Sequence, residues 1–209
     1  MKLIIIGPQA SGKGTQSEML SKELGLTHIS IGERLRQEIA SQSRLGKEIK
    51  AKIAAGEMVD DRLVEHLVKK LIAETGKGFI LDGFPRDKEQ AEWLDLVANI
   101  DKVIVLQISD KTAIERISGR RECPKGHDFH IIYNPPKKKD VCDECGLPLK
   151  KREDDTTTAI MKRLQTYHQV TEPILSHYTK KIVKVNGEQS IKDVHFAILK
   201  AIHKHPPKL

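Results

Sequence analysis

The sequence predicts an α/β chain: a parallel central sheet flanked by helices and carrying two mobile insertions. Three observations predict it. Strand-like apolar runs alternate with helix-like periodic segments along the chain. A glycine-rich loop follows the first apolar run and precedes the first helical segment. Two stretches, 30–59 and 119–155, interrupt the alternation, and the chain holds no internal repeat.

The elements follow in order. Leu3 to Ile6 is an apolar, β-branched-rich run, the mark of a buried strand. A helix is expected from about Lys13 to Leu24, stopped by Gly25. Segment 30–59 reads as helical but interrupts the first crossover. In 60–74, Leu63, Val64, Leu67, Val68, Leu71 and Ile72 share one helical stripe behind an Asp start. Segments 78–82 (GFILD) and 102–108 (KVIVLQI) read as strands. A helix from Lys111 ends near Gly119. A long helical stretch runs from about Thr156 to Lys180, broken or restarted near Pro173. Segment 181–185 is a further strand. A last helix follows Ser190 as N-cap, and the tail from His203 is expected to fray. The division expected is a core of 1–29, 60–118 and 156–209, with insertions at 30–59 and 119–155.

Composition removes several classes. The 209 residues include 38% apolar and 4% aromatic residues, enough for one aliphatic core. No apolar run nears the roughly 18 residues of a membrane span. The start MKLIIIGPQASGK lacks the longer apolar stretch and small-residue cleavage site of a signal peptide, so a cytoplasmic protein is expected. Three Cys are too few and odd in number for a disulfide framework. A formal charge of +7 suits polyanionic partners without choosing among nucleic acid, membrane surface and phosphorylated small molecules.

The loop narrows the choice. Gly7-Pro8-Gln9-Ala10-Ser11-Gly12-Lys13-Gly14-Thr15 lies between a strand and a helix, the context of a phosphate-binding loop. Small residues admit phosphate oxygens to backbone N–H groups, and the helix N-terminus adds positive potential. Lys13 supplies a cation for the β- and γ-phosphates. The pattern wants a hydroxyl directly after the Lys; here Gly14 stands there and Thr15 comes one later. Asp82 ends the GFILD strand, where a carboxylate can hold Mg²⁺ or its waters. Gly83-Phe84-Pro85-Arg86 then turns and presents an arginine. Arg36, Arg116, Arg120, Arg121, Arg152 and Arg163 follow the same logic: phosphoryl transfer between two nucleotides needs positioning and cationic clamps.

These residues resemble the adenylate kinase family of nucleoside monophosphate kinases, nearly end to end. The resemblance rests on GPQASGKGTQ (7–16), HISIGERLR (28–36), GEMVDDRLV (56–64), GFILDGFPRDKEQAEWL (78–94), ERISGRR (115–121), IIYNPP (131–136), KREDD (151–155) and KRLQTYHQVTEPI (162–174). It implies a P-loop nucleotide kinase with an AMP-binding insertion at 30–59 and a long lid at 119–155. It implies the reaction MgATP + AMP ⇌ MgADP + ADP, with ATP, AMP and ADP as partners and neither nucleic acid nor membrane. A monomer is the family's default.

Residue by residue, the resemblance gives the ATP side to Ala10, Ser11, Gly12, Lys13, Gly14, Thr15, Arg116, Arg120 and Gln189. It gives the AMP side to Ile31, Arg36, Glu57, Met58, Val59, Gly83, Arg86, Gln90, Arg152 and Arg163, with Gln90 reading adenine. Lys13, Arg86, Arg120, Arg152 and Arg163 are the implied catalytic set. Asp82 would organise magnesium waters, and Asp154 would help lock the lid arginines. Gly32, Gly56 and Gly119 lie near the insertion boundaries, where closure bends the chain. Four positions depart from the family pattern: Ala10 replaces a loop glycine, Ile31 a threonine, Glu33 an aspartate and Gln189 a lysine. Ile31 leaves a UMP/CMP or GTP-dependent kinase as the alternative, against which Gln90 argues.

The cysteines form a second motif. Cys142-x-x-Cys145 is a knuckle, and Cys123 lies 19 residues upstream of Cys142. Three Cys and one His satisfy tetrahedral Zn²⁺. Zinc-bearing members of the resembled family have CxxC in the first knuckle as well, but Gly126 takes its second place here. His127 is then the expected fourth ligand and His130 the runner-up. A redox CxxC pair is the competing reading, without a βα redox context around it. The zinc would be structural. The Lys137-Lys138-Lys139 run also motivates a zinc-ribbon nucleic-acid reader, but the segment has few aromatics for stacking bases.

Overall fold

A computed structural model describes residues 1–76 and 78–203. Strand β1 (Lys2–Ile6) enters the loop that leads to helix α1 (Lys13–Leu24). The edge strand β2 (Thr27–Ser30) follows, then α2 (Ile31–Ala40), α3 (Arg44–Ala54) and α4 (Asp61–Ala73). Next come β3 (Phe79–Asp82), α5 (Lys88–Val97), β4 (Lys102–Gln107) and α6 (Asp110–Gly119). An antiparallel hairpin, β5 (Arg120–Glu122) and β6 (Asp128–His130), precedes α7 (Thr157–Thr166). Strand β7 (Ile182–Asn186) and helix α8 (Ile191–Ile202) close the described chain. The expected tail beyond His203 lies outside the described residues.

The large sheet is parallel throughout, in the order β2-β3-β1-β4-β7. Its central strands carry unbroken apolar runs, Leu3 to Ile6, Phe79 to Leu81 and Val103 to Leu106, because both faces are covered. Ile4, Ile6, Phe79, Leu81, Val103 and Val105 pack on one side with Val68, Phe84 and Leu94. Leu3, Ile5, Ile80, Ile104 and Leu106 pack on the other with Leu20, Val194 and Ile198. This alternation is the period-2 consequence of the pleat. Ile5 pairs with Asp82 and Ile6 with Val105, so the carboxyl ends of the inner strands are level. Ligands of open α/β sheets bind at that edge.

Most expected elements stand within a residue or two of their predicted bounds. Four were not predicted: β2, α5 and the hairpin strands β5 and β6. The strand β2 is short and carries a single buried side chain, Ile29, so it has little periodicity to detect. Helix α5 did carry a signal: Asp87 caps it, its carboxylate accepting from Gln90 N at 2.8 Å. The long helical stretch is broken earlier than Pro173. Its α-helix ends at Thr166, a π-helical turn spans Tyr167–Thr171, and a 3₁₀ helix spans Glu172–Tyr178 with Pro173 at its start. Segment 31–59 is two short helices rather than one. Ser190 caps α8 as predicted, accepting from Asp193 N at 3.2 Å.

The hairpin segment has its own small cluster: Cys123, Phe129, Cys142 and Leu149, with Cys145 and Leu147 beside them. Lys150 exchanges both backbone hydrogen bonds with Glu122, at 2.8 and 2.9 Å. Among so few apolar groups, half of the buried ones are thiols.

The sheet's dependence on its filled interior is testable. Ile104, fully buried in β4, is expected to cost about 2–5 kcal/mol on truncation to Ala. Denaturant unfolding of Ile104→Ala measures it; a loss under about 0.5 kcal/mol, the level of a surface substitution, contradicts this placement of the core.

Candidate functional site

The loop after β1 is shaped by close approach. A Cβ on Gly7 would lie 2.6 Å from Leu106 O and from Ser11 Oγ, so no other residue fits there. Gly12 takes a left-handed φ of 93°. Ala10 is also left-handed, at φ 57°, a conformation that costs a non-glycine residue about 1–2 kcal/mol. Its carbonyl accepts from Arg116 Nη1 at 3.4 Å, and Gln9 Nε2 bonds Ile160 O at 2.7 Å. The strain is thus held by contacts from α6 and α7.

Lys13 opens α1. Its ammonium folds back over the loop and donates to Gly7 O and Pro8 O, each at 2.8 Å. Loss of solvent pushes its pKa down to about 8; Asp82 opposes this, while Arg86 and Arg120 add to it. Asp82, at the end of β3, is buried and lies 3.6 Å from His28 Nε2. Burial would raise its carboxyl, but His28, Lys13 and Arg86 outweigh that and hold it below the usual range. A Cβ on Gly14 would sit 3.7 Å from Asp82 Oδ2, so the bare Gly14 backbone lies beside that carboxylate.

The arginines converge from four elements. Arg86 follows the Phe84–Pro85 turn, whose peptide is cis, and its Nε donates to Gly83 O at 2.9 Å. Arg120 forms a two-point pair with Asp155, at 2.5 and 3.1 Å. Arg163 of α7 pairs with Asp154 and donates to Ile53 O at 3.0 Å. Arg36 of α2 faces Glu122 at 3.3 Å. Arg152 reaches Glu122 and Asp128. A cleft of about 570 Å³ lies between α2, α3 and the hairpin segment, lined in part by Arg36, Lys50, Glu122, Arg152 and Asp154.

The remaining predicted residues fall into place unevenly. Gln90 is buried, with Oε1 accepting from Arg86 N at 2.9 Å and Nε2 donating to Asp61 Oδ1 at 2.6 Å. Ile31 is 1% exposed and packs in the main apolar cluster. Glu57 pairs with Lys162 at 2.8 Å, while Met58 and Val59 are half-buried. Arg116 lies 5.3 Å over the Tyr133 ring. Ser11 is buried and Thr15 half-buried within α1. Gln189 is exposed beyond β7; its neighbour Glu188 bonds Ser109 and Thr112 at the start of α6 instead. The sequence reading missed the acids Glu122, Asp128 and Asp155 and the amide's partner Asp61. The adjacent Asp154-Asp155 pair was the available signal.

The hairpin segment gathers Cys123, His127, Cys142 and Cys145, with ligand atoms within 4.8 Å of one another. His127 Nδ1 lies 3.4 Å from Cys123 Sγ and 3.3 Å from Cys142 Sγ. Cys145 Sγ lies 3.6 Å from Cys123 Sγ. Zn–S bonds of about 2.3 Å place tetrahedral sulfurs about 3.8 Å apart, so the set fits Zn²⁺ in spacing and in donor type. The runner-up His130 is committed elsewhere. Its Nδ1 accepts from Ile132 N and Tyr133 N at 3.0 and 3.1 Å. The expected outcome is therefore that His127→Ala loses bound zinc while His130→Ala keeps about one equivalent. Metal analysis of the purified variants decides it; loss in His130→Ala and retention in His127→Ala reverses the ligand assignment.

Comparison with known proteins agrees with this geometry. The family model described as Adenylate kinase matches residues 5–183. An adenylate kinase of Caldicellulosiruptor saccharolyticus is 42% identical over 97% of this chain and 99% of its own length. One of Methanothrix thermoacetophila is 39% identical over 98% of this chain and 99% of its own. One of Treponema denticola is 46% identical over 89% of this chain and 90% of its own.

Proposed function

Since the chain belongs to the adenylate kinase family, we propose that this site transfers the γ-phosphoryl group of MgATP to AMP, giving two ADP. The observation that carries the reading is the approach of Arg86, Arg120 and Asp82 to Lys13 on its phosphate loop at the carboxyl edge of one sheet. The loop from Ala10 to Thr15 and Lys13 take the ATP phosphates, with Arg116 near the base. Arg36 and Arg86 take the AMP phosphate, and Gln90 reads the adenine. Segment 30–59 serves as the AMP-binding insertion and 119–155 as the lid.

An oxygen of the AMP phosphate attacks the γ-phosphorus. A new P–O bond forms as the bond to the β–γ bridging oxygen breaks, and the electron pair leaves with ADP. No side-chain nucleophile takes part. Lys13, Arg86, Arg120, Arg152 and Arg163 neutralise and orient the oxygens on which charge gathers. Closure of the lid excludes water, which would otherwise accept the phosphoryl group. Magnesium arriving with ATP would offset the phosphate charge; Asp82, kept ionised, is the residue that would hold its waters. Cys123, His127, Cys142 and Cys145 would hold a zinc that stiffens the lid, and four protein ligands would leave it no open position for the chemistry. The working form is a cytoplasmic monomer.

ADP formation from MgATP with AMP, UMP, CMP or GMP in parallel tests the reading. Turnover is expected with AMP and reduced by at least about 10²-fold in Lys13→Ala, the scale for one preorganised electrostatic group. Equal or better turnover with another monophosphate overturns the AMP assignment.

The pH profile follows from Lys13. The ammonium must be protonated to meet phosphate, and its pKa in the free enzyme is lowered to about 8. The kcat/KM for MgATP is therefore expected to be level below that pH and to fall about tenfold per unit well above it. A profile flat to pH 10 contradicts a deprotonating Lys13.

A further inference from the structure

Glu122 stands among the phosphate-binding arginines and has no part in the reaction as derived. Its Oε1 lies 3.3 Å from Arg36 Nε and its Oε2 lies 2.5 Å from Arg152 Nε. Only 11% of its side chain is exposed. The paired backbone bonds between Glu122 and Lys150 fix where the carboxylate starts. Its two partners come from opposite walls of the cleft: Arg36 from α2, and Arg152 from the segment after the hairpin. The carboxylate therefore does what two oxygens of a phosphate would do, bridging two guanidiniums that otherwise repel.

We propose that Glu122 is a built-in stand-in for the AMP phosphate, occupying Arg36 and Arg152 in the empty site and displaced by the incoming phosphate. The proposal rests on the reading that Arg36 takes that phosphate, with Arg86, and that Arg152 belongs to the AMP side of the site. Arg152 keeps Asp128, at 2.8 Å, when Glu122 lets go, so one guanidinium stays tethered while the other is handed over. The exchange is anion for anion. A phosphate dianion outbids a carboxylate monoanion for the same donors, whereas an uncharged nucleoside cannot displace it. The displaced carboxylate must also move away from the phosphate it admits, which couples nucleotide entry to motion of the hairpin that carries it.

Binding of AMP, inorganic phosphate and adenosine to the zinc-loaded protein without ATP is the test, read by calorimetry. Removing the competing charge in Glu122→Gln is expected to tighten AMP and phosphate by about three- to tenfold, with adenosine unchanged. Glu122→Asp keeps the charge on a shorter arm and is expected to gain less. A merely structural role gives weaker binding or lower stability, never tighter binding selective for the phosphorylated ligands. Unchanged or weaker AMP binding in both variants overturns the proposal. Arg36→Gln separates the two levels of the argument. If it weakens AMP while Glu122→Gln fails to tighten it, only the stand-in falls; if it leaves AMP unchanged, the assignment of Arg36 falls as well.

Discussion

Positive charge in a confined cleft is the constraint on which the rest of this structure depends. Arg36, Arg120, Arg152 and Arg163 are held near one another by four different elements. Guanidinium groups cannot shed their protons to relieve repulsion. Each is therefore met by a carboxylate: Glu122, Asp128, Asp154 or Asp155. Asp155, with 1% of its side chain exposed, is paired to both Arg120 and Arg163. Removing one acid would leave a partly buried cation unpaired, which costs more than the pair itself contributes. The acids are thus as much part of the phosphate site as the arginines.

The same economy governs the loop. Among the described residues no carboxylate lies within ion-pair distance of Lys13; backbone carbonyls of Gly7 and Pro8 hold it instead. Carbonyl dipoles position the ammonium without cancelling its charge, so it stays available to phosphate. Burial, with Arg86 and Arg120 nearby, is what lowers its pKa to about 8. Asp82 is the compensating anion, near enough to favour the charged lysine yet committed to His28.

Periodicity made the sheet legible, because the three central strands bury apolar side chains on both faces. It failed at β2, an edge strand with one buried residue, and at the π-helical turn after Thr166, which no local signal marks. Spacing made the loop and the cysteine knuckle legible, and folding does bring His127 beside the three cysteines. The acids were harder. A sequence shows that Glu122 follows two arginines, but their partners Arg36 and Arg152 lie far off in the chain, and only tertiary folding brings them together. Ile31 is the reverse case. The resemblance gives it to the AMP side, and its side chain packs in the main core cluster, which folding alone reveals.

The segment proposed as the lid has a core so small that a structural metal would suit it. Its apolar cluster is Cys123, Phe129, Cys142 and Leu149, far less than a segment of this length needs to fold on hydrophobic burial alone. Enlarging that core would require apolar surface, and apolar surface beside the cleft would bind the core domain and oppose opening. Zinc held by Cys123, His127, Cys142 and Cys145, as proposed, would give rigidity from inside this segment and leave its cleft-facing side to charged residues. Under the proposed exchange, Arg120, Glu122 and Arg152 are the residues that would change partners across the cleft as nucleotides enter. Closure would then be a competition between charges, which phosphate can decide, rather than between apolar surfaces, on which phosphate has no purchase.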